Sequence, residues 1–155
     1  MIQLIDFEEA LKLPAPLFID VRAESEYQED HIPGSVNIPI FNDAERKEIG
    51  TVYKNNSPEA ARKLGLAMVS PKLPRIINEI EDLATGKNPV LYCWRGGMRS
   101  KALSSVLELM NIRAFRLNGG YKRYRQFINT YFQDTFPFNV VVLHGLTGTG
   151  KTEVI

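Results

Sequence analysis

A single cysteine, Cys93, stands among 155 residues, so no disulfide can form within the chain and the thiol needs another account. No run of 18 apolar residues exists, which excludes a membrane-spanning helix of ordinary length. The opening residues, Met1-Ile2-Gln3-Leu4-Ile5-Asp6, have neither the basic start nor the long apolar stretch of a secretory signal. With only one cysteine, these absences predict a reducing, cytoplasmic setting. Internal repeats and low-complexity segments are missing too, and no metal site is expected.

What is present is the balance of a globular α/β protein: 44% hydrophobic and 24% charged residues, enough to bury a core. The net charge is only +1, but it is unevenly spread. Residues 1–93 hold 10 Lys and Arg against 15 Asp and Glu. Residues 94–125 hold 8 basic residues against Glu108 alone. Positive charge therefore gathers directly after the cysteine, which favours an anionic ligand or substrate there. A solvated basic helix face is the plainer alternative.

Short apolar runs at residues 3–5, 17–21, 89–93 and 113–117 read as buried parallel strands. A proline- and glycine-punctuated stretch at 32–39 reads as a loop with one short strand. Between them, helical patterns are expected at 6–12, through most of 42–84 with breaks near Ser57-Pro58 and Ser70-Pro71, from about Arg99, and at 121–132. The helix after Arg99 places Ala102, Leu103, Val106, Leu107 and Met110 on one face. Strands alternating with helices give an α/β domain with a mostly parallel sheet. The residues Phe136-Pro137-Phe138-Asn139 read as a linker, and 140–144 as the strand of a second domain that stops at Ile155. The expected organisation is thus one domain over 1–135 and a linker with a domain fragment over 136–155.

Cys93 is expected at the C-terminal end of a strand, followed by Trp94-Arg95-Gly96-Gly97-Met98-Arg99-Ser100 and a helix. Two glycines let the loop curl and turn its N–H groups inward. The positive end of the helix points at the same place, and Arg95 and Arg99 add full charges. Each effect favours a nucleophilic thiolate. Burial works against them, and a free cysteine can also be a small core residue.

These residues carry a resemblance. Asp20-Val21-Arg22, Glu26-Tyr27, the run from His31 to Pro39, Cys93 closing a strand, and Leu117-Asn118-Gly119-Gly120 together resemble rhodanese-like domains over about residues 4–132. The resemblance implies a doubly wound, mostly parallel sheet with helices on both faces, and a cysteine that carries sulfur or selenium. Asp20, Arg22, Glu26 and His31 are then expected to tie loops together rather than to catalyse. The loop departs from the common six-residue form: Cys93 to Arg99 is Cys-x5-Arg, as in related dual-specificity phosphatases and arsenate reductases. A cysteine-dependent phosphatase with Arg99 on the phosphate oxygens therefore stays open, as does a generic thiosulfate-type sulfurtransferase. Tyr92 before the cysteine and the basic, glycine-rich loop are unlike those phosphatases.

Gly145-Leu146-Thr147-Gly148-Thr149-Gly150-Lys151-Thr152 fits the P-loop pattern after an apolar strand. Its glycines, Gly145, Gly148 and Gly150, let backbone N–H groups ring a phosphate; Lys151 adds charge, and Thr152 can ligate Mg²⁺. A rhodanese-like domain running into a P-loop is similar to the tRNA 2-selenouridine synthases, whose loop reads as residues 93–100 do here. That resemblance implies replacement of sulfur by selenium in wobble 2-thiouridine, with selenophosphate and geranyl diphosphate as substrates, a geranylated intermediate, and no tightly bound cofactor. It makes tRNA the partner, with Arg113, Arg116, Lys122, Arg123 and Arg125 as candidate phosphate contacts. Trp94, Tyr121, Tyr124 and Phe127 are candidates to stack on a base, or else core residues. A non-catalytic module that only docks tRNA or a partner is the remaining alternative.

Overall fold

The computed structural model describes residues 3–134 and residue 144. Strands β1 (Gln3–Ile5), β2 (Pro16–Asp20), β3 (Val36–Asn37), β4 (Asn88–Tyr92) and β5 (Phe115–Leu117) form one sheet in the order β1-β5-β4-β2-β3. Every pairing is parallel. The helices are α1 (Phe7–Ala10), α2 (Glu24–Glu29), α3 (Asp43–Asn55), α4 (Pro58–Val69), α5 (Leu73–Ala84), α6 (Met98–Leu109) and α7 (Gly120–Asp134), with a 3-10 turn at Ser70–Lys72. No helix among the described residues is long and apolar enough to cross a membrane.

Residue parity divides the core between the two faces of the sheet. Leu17, Ile19, Val21, Leu91 and Cys93 join Ile76, Ile77 and Ile80 of α5 and Leu103 and Leu107 of α6 in one buried cluster. Phe18, Val90, Tyr92, Phe115 and Leu117 join Phe7 and Ala10 of α1 and Tyr121 and Tyr124 of α7 in the other. Both faces are covered, so the strands read as continuous apolar runs, as a parallel sheet requires. Cys93 continues the alternation of β4 and faces the α5–α6 layer.

The segment between β3 and β4 forms its helices because the sequence punctuates them. Asn42 accepts from the Glu45 N–H at 2.9 Å while its own N–H donates to Glu45 Oε2 at 3.0 Å, a capping box that starts α3. Ser57 Oγ accepts from the Ala60 N–H at 3.0 Å, and Pro58 occupies the first turn of α4. Lys72 Nζ then donates to Glu45 Oε2 at 2.5 Å and to the Ile40 carbonyl at 2.9 Å, clamping the 3-10 turn to the start of α3.

Several expectations shift. The helix expected at 6–12 covers only α1, β5 starts two residues later than 113, and α2 was not anticipated. On α6, Leu103 and Leu107 are buried and Val106 partly so, but Ala102 and, just past its end, Met110 are exposed. The linker at 136–139, the strand expected from 140, and Gly145, Gly148, Gly150, Lys151 and Thr152 of the P-loop pattern lie outside the described residues.

The C-terminal end of β2 holds a buried ion pair. Arg22 Nη2 lies 2.6 Å from Asp20 Oδ2, with Asp20 0% and Arg22 1% exposed. Arg22 Nε donates to both carboxylate oxygens at 3.0 and 2.9 Å, and Nη2 also donates to the Asp30 carbonyl at 2.7 Å. Breaking such a pair strands a buried charge. Asp20→Ala is expected to cost about 3–5 kcal/mol in urea unfolding, and the double variant Asp20→Ala/Arg22→Met to recover most of that loss. A single variant as stable as the parent would show that the pair carries no such load.

Candidate active site

The chain runs from β2 to β3 toward one edge of the sheet and from β4 to β5 toward the other. The crevice at the C-terminal ends of β2 and β4 is therefore the switch point where parallel α/β sheets place ligands. Cys93 follows β4 at that point and is 3% exposed. The sequence-predicted loop residues lie around it: Trp94, Arg95, Gly97 and Met98 are exposed, Gly96 is partly so, and Arg99 is largely buried.

The loop is shaped by backbone packed on backbone. The Tyr121 N–H donates to the Cys93 carbonyl, and the Lys122 N–H to the Trp94 carbonyl, both at 2.9 Å. Gly96 and Gly120 have φ of +62° and +58°, where L side chains are strained. A Cβ on Gly120 would lie 2.2 Å from the Cys93 carbonyl oxygen and 2.4 Å from the Gly96 nitrogen. A Cβ on Gly96 would lie 2.8 Å from the Leu117 carbonyl oxygen. The Asn118-Gly119-Gly120 turn is thus the mould for the cysteine loop. The Asn118 N–H in turn donates to the Ile5 carbonyl at 2.9 Å, anchoring that mould to β1.

Cys93 Sγ lies 3.3 Å from Ser100 Oγ, and the Ser100 hydroxyl also reaches the Gly97 carbonyl at 3.3 Å. The hydroxyl has one proton. When it donates to Gly97 it can only accept from the thiol; toward a thiolate it can turn and donate. Ser100 is 0% exposed, so this exchange is shielded from water. Sequence reasoning missed Ser100; its position in the first turn of the helix after the cysteine was the available signal.

Arg99 does not point free charge at the loop. Its Nη1 and Nη2 donate to Glu26 Oε2 and Oε1 at 2.6 and 3.1 Å. Arg46 of α3 approaches the same carboxylate at 3.7 Å. Burial pushes the Glu26 carboxyl up, but the hydrogen bonds and charge of Arg99, with the Ala23 N–H and Arg46, more than offset it and hold the group below the usual carboxylate range. Asp20, Arg22 and His31 likewise tie loops: His31 Nδ1 is 2.8 Å from the Tyr27 carbonyl, and the Arg22 guanidinium lies 4.1 Å from the Tyr121 ring centre. Tyr92 bonds the Ser35 hydroxyl at 2.9 Å and accepts from the Ile32 N–H at 3.3 Å. Burial first, then the Asp20 charge, push its phenol far above the ordinary range.

The candidate tRNA contacts separate. Lys122 and Arg123 are exposed on α7 beside the loop. Arg125 pairs with Asp30. A hydrogen bond from Tyr121 and that pairing hold the Asp30 carboxyl below the usual range, against slight burial. Arg113 lies over the Phe115 ring, and the buried Nε of partly buried Arg116 has no hydrogen-bond partner among the described residues. Of the four stacking candidates, Tyr121 and Tyr124 are 2% and 8% exposed and Phe127 packs against the same cluster; they are core. Only Trp94, 43% exposed and 5.5 Å from Tyr121 between ring centres, presents a face to solvent.

The rhodanese-like domain family matches residues 4–127. A tRNA 2-selenouridine synthase of Nitrosomonas europaea is 41% identical over 97% of this chain and 40% of its own length, and one of Pseudomonas fluorescens 39% identical over 99% and 43%. The chain therefore spans about two fifths of the curated relatives it matches. A crystal structure described as the N-terminal domain of a candidate ATP/GTP-binding protein of Clostridium difficile 630 superposes with a TM-score of 0.79 at 42% identity, covering 81% of this chain and 98% of that one.

Because the folded Glu26 carboxyl titrates below its ordinary value, its pair with Arg99 stabilises fully above the ordinary glutamate range and is lost as pH falls through the lowered folded value. Glu26→Gln is expected to lower unfolding stability by about 1–3 kcal/mol at pH 7, with the difference from the parent closing in acid. A pH-independent difference in urea melts would assign the loss to packing instead.

Proposed function

Since this chain belongs to the rhodanese-like domain family, we propose that it is the cysteine-bearing part of a tRNA-modifying transferase that converts wobble 2-thiouridine to 2-selenouridine through a geranylated intermediate. Cys93 carries the selenium or sulfur atom. The observation that carries this reading is a lone thiol at the switch point of the sheet, in a glycine-moulded loop whose neighbours are exposed cations. The names and identities of the relatives support the tRNA substrate; selenophosphate and geranyl diphosphate come from the same resemblance. The P-loop pattern at 145–152 would take the diphosphate, with Mg²⁺ at Thr152.

Selenium in selenophosphate is fully reduced, at the level of selenide. A chalcogen carried on Cys93 is zero-valent. A thiosulfate-type donor loads it without an oxidant, because the thiolate attacks the outer atom and the donor keeps the electron pair of the broken bond. Loading from selenophosphate splits the Se–P bond with water to orthophosphate and removes two electrons, which a small disulfide accepts. The terminal selenide on Cys93 then attacks C2 of the S-geranyl uridine, the C2–S bond breaks and geranylthiolate leaves with a proton, and a small thiol attacks the Cys93 sulfur to free the C2 selenium and return the two electrons. Ser100 turning its hydroxyl toward the charged outer or inner chalcogen supports either form.

A hydrolytic reading with Arg99 gripping phosphate is less well supported, since Glu26 already occupies both guanidinium nitrogens. Arg95, Lys122 and Arg123 carry no ion pair among the described residues and remain for a polyanion.

Treatment with thiosulfate, or with selenophosphate plus a small disulfide, is expected to add one chalcogen atom to the Cys93 peptide in mass spectrometry. Cys93→Ala is expected to take up none and, in the full-length enzyme, to make no selenouridine. No mass gain under either treatment would remove the carrier role. For tRNA, Lys122→Ala and Arg123→Ala are each expected to reduce the slope of log K against log salt by about 0.7–0.9, whereas Arg125→Ala leaves the slope unchanged. Unchanged slopes for the first two would take α7 out of the tRNA footprint.

A further inference from the structure

Beside the cysteine loop lies a cavity of about 420 Å³, within the range of small-ligand pockets. Its wall is almost wholly apolar, built from Phe41, from Ile49 of α3, from Leu66 and Val69 of α4, and from Ala102 and Val106 of α6. Met98 and Arg99, the last residues of the Cys93–Arg99 loop, line it as well. Its floor includes Ile40 and Leu103, which belong to the same buried cluster as Cys93. The pocket therefore starts where the cysteine loop ends.

Such a hollow is costly in water. Leu66 and Met98 are 64% and 60% exposed, and Tyr53, also on the wall, is 59% exposed. Apolar surface on this scale marks a binding site in a soluble domain. The cations on the wall are Arg99, held by Glu26, and Arg62, which is exposed and has no ion pair among the described residues. A hydrocarbon chain attached to an anionic head satisfies both features, with the chain against the aliphatic wall and the head toward Arg62 and the loop.

We propose that this pocket, between α3, α4 and α6, holds the hydrocarbon chain of the S-geranyl nucleotide while its base faces the Cys93 loop; this rests on the function proposed above. The insert between β3 and β4 is then a substrate-recognition element. It distinguishes the alkylated nucleotide from plain thiouridine by burying the chain, which no polar contact at the loop could do.

The test is a series of 2-thiouridine 5′-monophosphates S-alkylated with methyl, dimethylallyl, geranyl and farnesyl groups. Binding is read on this chain by the fluorescence of Trp94, its one tryptophan, and by calorimetry. Affinity is expected to rise at least tenfold from methyl to geranyl, and the gain to shrink below threefold in Ala102→Phe, which narrows the pocket, and in Leu66→Asp, which charges its wall. Both positions are exposed, so both variants keep the fold, as thermal melts check. An equal gain in the two variants would overturn the proposal, because the chain would then be held elsewhere. No gain in the parent would also overturn it and leave the hollow to a protein segment. Chalcogen loading of Cys93 in the parent is measured alongside. Loading without a chain-length gain sinks the pocket alone; a gain without loading sinks the carrier role and leaves the pocket standing.

Discussion

Everything at the site is built around one buried charge pair. Asp20 and Arg22 sit at the C-terminal end of β2 with no access to water, so the cost of removing both charges from solvent is met only by a full set of hydrogen bonds. That set reaches outward. The Arg22 N–H returns to Asp20 at 2.9 Å, Asn37 Nδ2 donates to the Asp20 and Arg22 carbonyls at 2.9 and 3.0 Å, and Arg22 fixes the Asp30 carbonyl. The same guanidinium lies against Tyr121, whose N–H holds the Cys93 carbonyl. An interaction two residues apart in sequence thereby fixes four segments that meet at the thiol. Its benefit is uniqueness of arrangement more than net stability, since a well-packed apolar pair would stabilise as well.

Above that pair, the loop takes its form from contacts that only glycine permits. Gly96 and Gly120 bring two backbone turns closer than any Cβ would allow, and the Asn118-Gly119-Gly120 turn is held by β1, the outer strand of the sheet. The cysteine loop is therefore formed only when the strands at positions one and two of the sheet are in place. Residues over a hundred positions apart, Ile5 and Asn118, belong to one structural unit with Cys93. The carbonyls of Cys93 and Trp94 are both taken by N–H groups of α7.

The architecture was legible because parallel strands buried on both faces leave apolar runs, and because Ser-Pro pairs mark helix starts. The cysteine loop was legible for a related reason: glycines, a strand end and cations coincide in seven residues. The short helix α2 was not, since it buries none of its residues and so carries no periodic signal. Nor was the partner of Arg99, because Glu26 lies 73 residues away and charge counts do not say which charges meet. The same blindness affected the aromatics after the loop: Tyr121 and Tyr124 are spaced for a helix face, and spacing alone does not tell whether that face meets solvent or Phe7, which packs 4.9 Å from Tyr124 between ring centres.

Pairing, more than composition, decides what the basic stretch after the cysteine offers. Arg99 is spent on Glu26 and Arg125 on Asp30, both acids from the first part of the chain, so the surplus there is partly neutralised within the fold. What survives is ordered about the sheet's edge. Trp94 leads to Tyr121 and the α7 layer, with Arg95, Lys122 and Arg123 exposed on that side. Met98 leads the opposite way, to the apolar wall of α3, α4 and α6. The seven-residue loop therefore has a cationic and aromatic exit over one face of the sheet and a greasy one over the other, with the thiol buried between them.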